Sequence, residues 1–139
     1  MRIGQAPSVL VVEDSPIISR IVCGILKQIG LTNVDVAGSG PEALTQLRAK
    51  QYSIVISDWN MQPMSGYELL KEVRSDNRLA QVCFLMISAE PSIEKVVAAR
   101  KAQADSYLLK PFNADTLKMK IDEAFKVRNA ANALLRQSA

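Results

Sequence analysis

The sequence predicts an α/β fold in which a parallel sheet is covered by helices on both faces. Two observations carry this expectation. Five short apolar runs alternate with five helix-like segments along the 139 residues, and residues that cap helices or break chains fall at the junctions. Alternating βαβ units need right-handed crossovers and a sheet buried on both sides, so its strands read as continuous apolar runs.

Residues 8–12 form the first such run. Ser15 then stands as an N-cap, with Pro16 at the first helical position, where its missing N–H costs nothing. Ile17, Ile18, Ile21, Val22, Ile25 and Ile29 recur at helical spacing, which assigns all six to one inward face, and Gly30 ends the helix. Residues 33–37 make a second strand. Gly40 and Pro41 open a helix that carries Ala43, Leu44 and Leu47. Residues 54–57 form a third strand, followed by a helix over residues 65–74. A very apolar fourth strand over residues 82–87 leads to a helix over residues 92–102. A short fifth strand covers residues 107–109. Asn113 caps the last helix, whose inner face holds Leu117, Ile121, Ala124 and Phe125. Beyond Arg128 the helical pattern continues through Ala131, Leu134 and Leu135, and three readings of this tail stay open: a frayed end, an interaction helix or the stump of a linker.

Composition narrows the function classes. Hydrophobic residues are 48% and charged residues 22% of the chain, which is ordinary for a globular protein. The length suits one domain spanning residues 1–139, with a core over about residues 7–128 and a helical tail over residues 129–139. No apolar run approaches the length of a membrane helix, and residues 1–8 show no cleavable leader, so a cytoplasmic protein without membrane insertion is expected. The net charge of +3 comes from scattered basic residues interleaved with acids, which does not support direct nucleic-acid binding. Histidine is absent, which removes histidine triads and most zinc sites. Cys23 and Cys83 sit in apolar segments and read as small hydrophobes rather than a disulfide. Any chemistry must come from carboxylates, hydroxyls and lysine.

In open α/β sheets ligands gather at the carboxyl ends of the strands. Glu13 and Asp14 follow strand one there, Asp58 follows strand three, Ser88 strand four and Lys110 strand five. Each has a plainer explanation alone: acids favouring a helix N-terminus, a loop aspartate, a helix-capping serine, a surface lysine. Together they form one set. Three carboxylates at one rim repel, and a divalent cation with one lysine supplies the counter-charge. Magnesium accepts one or two carboxylates, water and phosphate oxygens. A carboxylate can also attack phosphorus to form an aspartyl phosphate. Phosphoryl transfer needs chiefly positioning and charge neutralisation, and neither requires histidine.

Glu13-Asp14, Asp58-Trp59-Asn60-Met61 with Met64 and Gly66, Ser88-Ala89 and Lys110-Pro111-Phe112 resemble the CheY-like receiver domains of two-component response regulators, in the same order over nearly the whole chain. The resemblance implies a flavodoxin-like, doubly wound, five-stranded parallel sheet in the order 2-1-3-4-5 with five helices, the topology of CheY. It implies Asp58 as phosphoryl acceptor, Mg²⁺ as cofactor, and Asp14, Asp58 and the Asn60 carbonyl as metal ligands, with Glu13 close to the metal. Lys110 would pair with acceptor and phosphoryl oxygens, Ser88 would move to bond the phosphoryl group, and backbone N–H groups near Asn60 and Ala89 would complete the contacts. Tyr107 matches the aromatic switch that couples phosphorylation to the face made by the fourth helix, fifth strand and fifth helix; the plainer reading is a core tyrosine. A cis peptide is implied at Lys110-Pro111. Asn60 and Glu90, two residues beyond acceptor and hydroxyl, match positions that tune phosphoryl lifetime, and here they resemble short-lived chemotaxis receivers.

The expected partners are a sensor histidine kinase or phosphotransfer protein and a downstream protein target. A stand-alone chemotaxis-type adaptor or phosphoryl shuttle, not a conventional enzyme, is the leading reading; a fragment of a larger regulator and a constitutive pseudo-receiver are the alternatives. A pseudo-receiver would lack an acid, the hydroxyl or the lysine, and all are present. A dehalogenase-type phosphatase would want an aspartate where Asn60 stands, and a flavodoxin would want a Ser/Thr/Gly-rich phosphate loop after strand one. One departure from the family pattern stands out. Proline usually follows the methionine directly, whereas here Gln62 intervenes before Pro63, which leaves the loop path open and places Gln62 near the mouth of the site.

Overall fold

A computed structural model describes residues 6–138. Residues 1–5 and Ala139 fall outside it, so most of the segment read above as lacking a leader lies outside the described residues. The strands are β1 (Val9–Val12), β2 (Val34–Ala37), β3 (Ile54–Asp58), β4 (Cys83–Ser88) and β5 (Ser106–Leu109). They make one sheet in the order β2-β1-β3-β4-β5, parallel at every pairing. The flavodoxin-like topology implied by the resemblance is therefore present. No described helix is long and apolar enough to cross a membrane.

The helices are α1 (Pro16–Gln28), α2 (Gly40–Ala49), α3 (Gly66–Ser75), α4 (Ile93–Lys101) and α5 (Ala114–Ser138). Their ends follow from local chemistry. Ser15, Ser39, Ser65 and Ser92 each accept a backbone N–H at an N-cap, and Ser65 with Glu68 completes a capping box. Asn113 Oδ1 accepts the Thr116 N–H at 2.9 Å and so caps α5. Gly30 adopts φ +91°, which lets the chain leave α1 while Leu31 N–H bonds back to the Leu26 carbonyl at 2.9 Å. The helical pattern of the tail is continuous with α5 to Ser138, and Asn132 Nδ2 donates to the Gln81 carbonyl at 3.2 Å.

Alternate strand residues feed two cores. Leu10, Val12, Val55, Phe84 and Met86 pack under α2 and α3 against Leu44, Leu69, Leu70 and Val73. Val9, Val11, Ile54, Ile56, Leu85 and Ile87 pack under α1 and α5 against Val22, Leu26, Leu117 and Ile121. Each fully buried leucine contributes about 2–5 kcal/mol on the scale of truncation to alanine. Helix α4 is the exception, since Ala99 is its one buried residue.

The sequence expectation for α1 needs correction. Its buried residues are Ser19, Val22 and Leu26, with Ile18 and Ile25 packed at the edge, whereas Ile17 is 71% and Ile21 54% exposed. A helix so rich in isoleucine offers two overlapping apolar stripes. Packing on β1 selects the one that carries Leu26, and Ile17 and Ile21 are left outside.

Candidate functional site

The carboxyl ends of β1, β3, β4 and β5 bring the expected set together. Asp58 closes β3 beside Ile87 of β4, and Ser88 pairs in register with Leu109, the residue before Lys110. Two backbone hydrogen bonds hold this rim together: Trp59 N–H to the Ile87 carbonyl at 2.8 Å and Lys110 N–H to the Ser88 carbonyl at 2.9 Å.

Lys110 joins the carboxylates. Its Nζ lies 2.8 Å from Asp58 Oδ1 and 3.3 Å from Glu13 Oε1. Glu13 is buried and also accepts the Ser15 N–H through Oε2 at 3.2 Å, so this acid serves the helix entrance as well as the rim. Burial pushes the Glu13 carboxyl above its ordinary pKa, the Asp58 charge and contact with Asp14 push the same way, and the Ser15 N–H opposes them. For Lys110 burial acts to lower the pKa, but the bond to Asp58 and the charges of Asp58 and Glu13 outweigh it and the value ends raised. One ammonium thus serves two acids, and with Asp14 nearby the rim retains surplus negative charge.

Asp14 is exposed and borders a cleft of about 480 Å³ with Trp59, Asn60, Gln62 and Glu68 among its walls. Among the described residues no three Asp, Glu, Cys or His side chains converge closely enough to hold a metal alone. An arrangement of one or two carboxylates opening on solvent, with excess negative charge, suits a hard cation that keeps its waters, such as Mg²⁺.

The loop after Asp58 is set by glycine. A β-carbon on Gly66 would lie 2.1 Å from the Asp58 carbonyl oxygen, and the Gly66 N–H donates to the Trp59 carbonyl at 2.8 Å. Met61 is buried in the core, which anchors the loop on the Asp58 side of Gln62. Gln62 is exposed and joined to Pro63 by a cis peptide, and both line the Asp14 cleft; Lys110-Pro111 is cis as well.

Ser88 is buried, and its Oγ accepts the Glu90 N–H at 3.1 Å. It caps no helix, since Ser92 does that for α4. Glu90 is exposed and pairs with Lys95 at 3.0 Å, with the Asn60 amide near enough to act on its carboxyl. The bond to Lys95 and its charge, then the Asn60 amide, hold the Glu90 carboxyl below its ordinary range. Tyr107 packs against the core, its ring 6.4 Å from Trp59 in an edge contact, and its buried hydroxyl has no hydrogen-bond partner among the described residues.

A family model, the response regulator receiver domain, matches residues 9–122. The chain belongs to that family. This receiver is similar to the chemotaxis protein CheY-3 of Vibrio cholerae, with 39% identity over 118 residues covering 85% of the chain and 91% of the relative. It shares 36% identity with the chemotaxis protein CheY of Pseudomonas aeruginosa, covering 85% and 95% of the two chains. Among solved structures, chemotaxis protein CheY4 of Vibrio cholerae superposes with a TM-score of 0.80 at 33% identity, covering 86% of this chain and 99% of that one.

Three features of the receiver escaped the sequence reading. Trp59 stacks on Tyr67 at 5.2 Å and lies under the Lys95 ammonium at 5.1 Å. At the opposite edge of the sheet, Asp105 is buried between Arg74 and Arg128, each with a nitrogen 3.0 Å from a carboxylate oxygen. A cleft of about 650 Å³ lies between α4, β5 and α5, lined by Val96, Arg100, Tyr107, Leu109, Lys120 and Val127. No motif marks any of these groups, because each assembles residues from separate elements.

Proposed function

We propose that this receiver takes a phosphoryl group on Asp58 from a phosphohistidine of a sensor kinase or phosphotransfer protein. It would then present a changed α4-β5-α5 surface to a protein target in the cytoplasm. The observation that carries this reading is the Lys110 ammonium bonded to both Asp58 and Glu13 at the strand ends.

An Asp58 Oδ attacks phosphorus, an O–P bond forms, the N–P bond of the donor breaks, and the leaving imidazole nitrogen keeps the electron pair. Lys110 orients the carboxylate and faces the oxygens on which charge accumulates. Ser88, at the end of the neighbouring strand, can rotate its hydroxyl from the Glu90 N–H to a phosphoryl oxygen. Asp14, Asp58 and the Asn60 carbonyl would hold Mg²⁺, with Glu13 behind them. When bound, the cation would supply positive charge against the phosphoryl oxygens. Reset follows when water attacks phosphorus, releasing phosphate and the free carboxylate, with Asn60 and Glu90 flanking the water's approach.

Tyr107 lies between the Trp59 ring and the cleft of α4, β5 and α5, which supports its role as the link between acceptor and output face. We place the receiver core at about residues 7–128 of a single domain, with the described part of the 129–139 tail continuing helix α5, acting as a chemotaxis-type adaptor or phosphoryl shuttle. The test is intact-mass spectrometry after incubation with a small acyl phosphate, with and without Mg²⁺. A metal-dependent, base-labile adduct on the wild type and none on Asp58→Asn is expected; equal labelling of both proteins refutes the assignment.

A further inference from the structure

Helix α4 is only lightly buried against the body. It buries Ala99 alone, yet Lys95 makes two contacts that reach the acceptor loop and the loop after β4. The Lys95 ammonium stands 5.1 Å over the Trp59 ring and 3.0 Å from Glu90 Oε1, and Trp59 adjoins Asp58 while Glu90 lies two residues beyond Ser88. In this arrangement the Glu90 N–H is bonded to Ser88 Oγ, the same hydroxyl that must turn toward a phosphoryl group. One lysine therefore ties α4 to the loop that follows Asp58 and to the loop after β4.

We propose that Lys95 is a positioning residue that locks the resting state. Clasped between the Trp59 ring and the Glu90 carboxylate, it keeps the loop after β4 where Glu90 N–H engages the Ser88 hydroxyl, and so slows phosphoryl capture at Asp58. The inference rests on Asp58 being the acceptor. Its sign separates it from simple electrostatics. Removing a positive charge near the mouth would slow capture of an anionic donor, whereas releasing the loop speeds it.

The experiment measures the rate of adduct formation by intact-mass spectrometry, with a small acyl phosphate at saturating Mg²⁺. Five proteins are compared: wild type, Lys95→Met, Glu90→Gln, the double variant, and Lys95→Arg as the charge-keeping control. Because the pair is solvent-screened the effect is modest, and Lys95→Met is expected to react about two- to fivefold faster than wild type. Lys95→Arg should match the wild type, and Lys95→Met should add nothing in the Glu90→Gln background, because the lysine acts through that carboxylate. An equal or slower rate for Lys95→Met, or the same acceleration in both backgrounds, overturns the lock. No adduct on the wild type overturns the acceptor assignment instead.

Discussion

Gly66 lies so close beneath Asp58 that any side chain there would collide with the Asp58 main chain. The β-carbon would come within 2.1 Å of the carbonyl oxygen and within 3.0 Å of Trp59 Cα. The obstacle is backbone, which cannot rotate away. Gly66→Ala is therefore expected to lose about 1–3 kcal/mol of stability through forced backbone displacement. It should also slow adduct formation at Asp58, the proposed acceptor, because the same displacement moves its carboxylate. Urea denaturation and intact-mass labelling check the two halves, and an alanine variant indistinguishable from wild type in both would show that the loop has slack.

Lys110→Met should separate stability from chemistry. Without the ammonium, buried Glu13 and Asp58 face each other uncompensated, and a loss of about 1–3 kcal/mol in metal-free buffer is expected. Millimolar Mg²⁺ should restore much of that loss, since the cation supplies the missing positive charge and no longer competes with lysine. Phosphorylation should remain far below wild type even with the metal. Thermal melts with and without Mg²⁺ test this, and a variant whose deficit ignores Mg²⁺ would argue against a cation at this rim.

The buried Asp105 should be the most sensitive charged residue away from the site. It accepts from Arg74, Arg128 and the Phe84 N–H, and its side chain is 2% exposed. Asp105→Ala leaves two buried guanidinium groups without their carboxylate, and a loss of about 3–5 kcal/mol is expected. Arg128→Met removes one of two cations from one anion and should cost less. Chemical denaturation of both variants decides the order.

Tyr52 provides a pH signature remote from the rim. Its hydroxyl donates to Asp35 Oδ2 at 2.6 Å. Burial, then the bond to Asp35 and its charge, push the Tyr52 pKa up to about 12. In the unfolded chain the value is about 10. The neutral phenol is favoured by folding, so this contribution is complete below about pH 10 and is lost as pH rises toward 12. Absorbance of tyrosinate should show one late-titrating tyrosine in the wild type that is missing in Tyr52→Phe, and the variant's stability should fall less steeply between pH 10 and 12.

The rim was legible in the sequence because each of its members sits at a strand end, where the chain order of a parallel sheet dictates proximity. Glu13, Asp58 and Lys110 needed only correct strand positions to be brought together. The inward face of α1 was not legible in the same way. Ile17 and Ile21 are as apolar as Val22 and Leu26, and only contact with β1 decides which stripe is covered. Lys95 was illegible for a different reason: its meaning lies in the distance to Trp59 and Glu90, which depends on how α4 is laid against the sheet. Arg74, Asp105 and Arg128 likewise come from α3, the start of β5 and α5, and nothing in their spacing announces a triad.

The slight anchorage of α4 bears on how a local chemical event could be felt at a distance. A helix that lends the interior one methyl group resists displacement weakly, so modest rearrangements at the strand ends suffice to reposition it. In such a molecule the surface that changes is selected by where grip is scarce, and rigidity elsewhere keeps the disturbance from spreading.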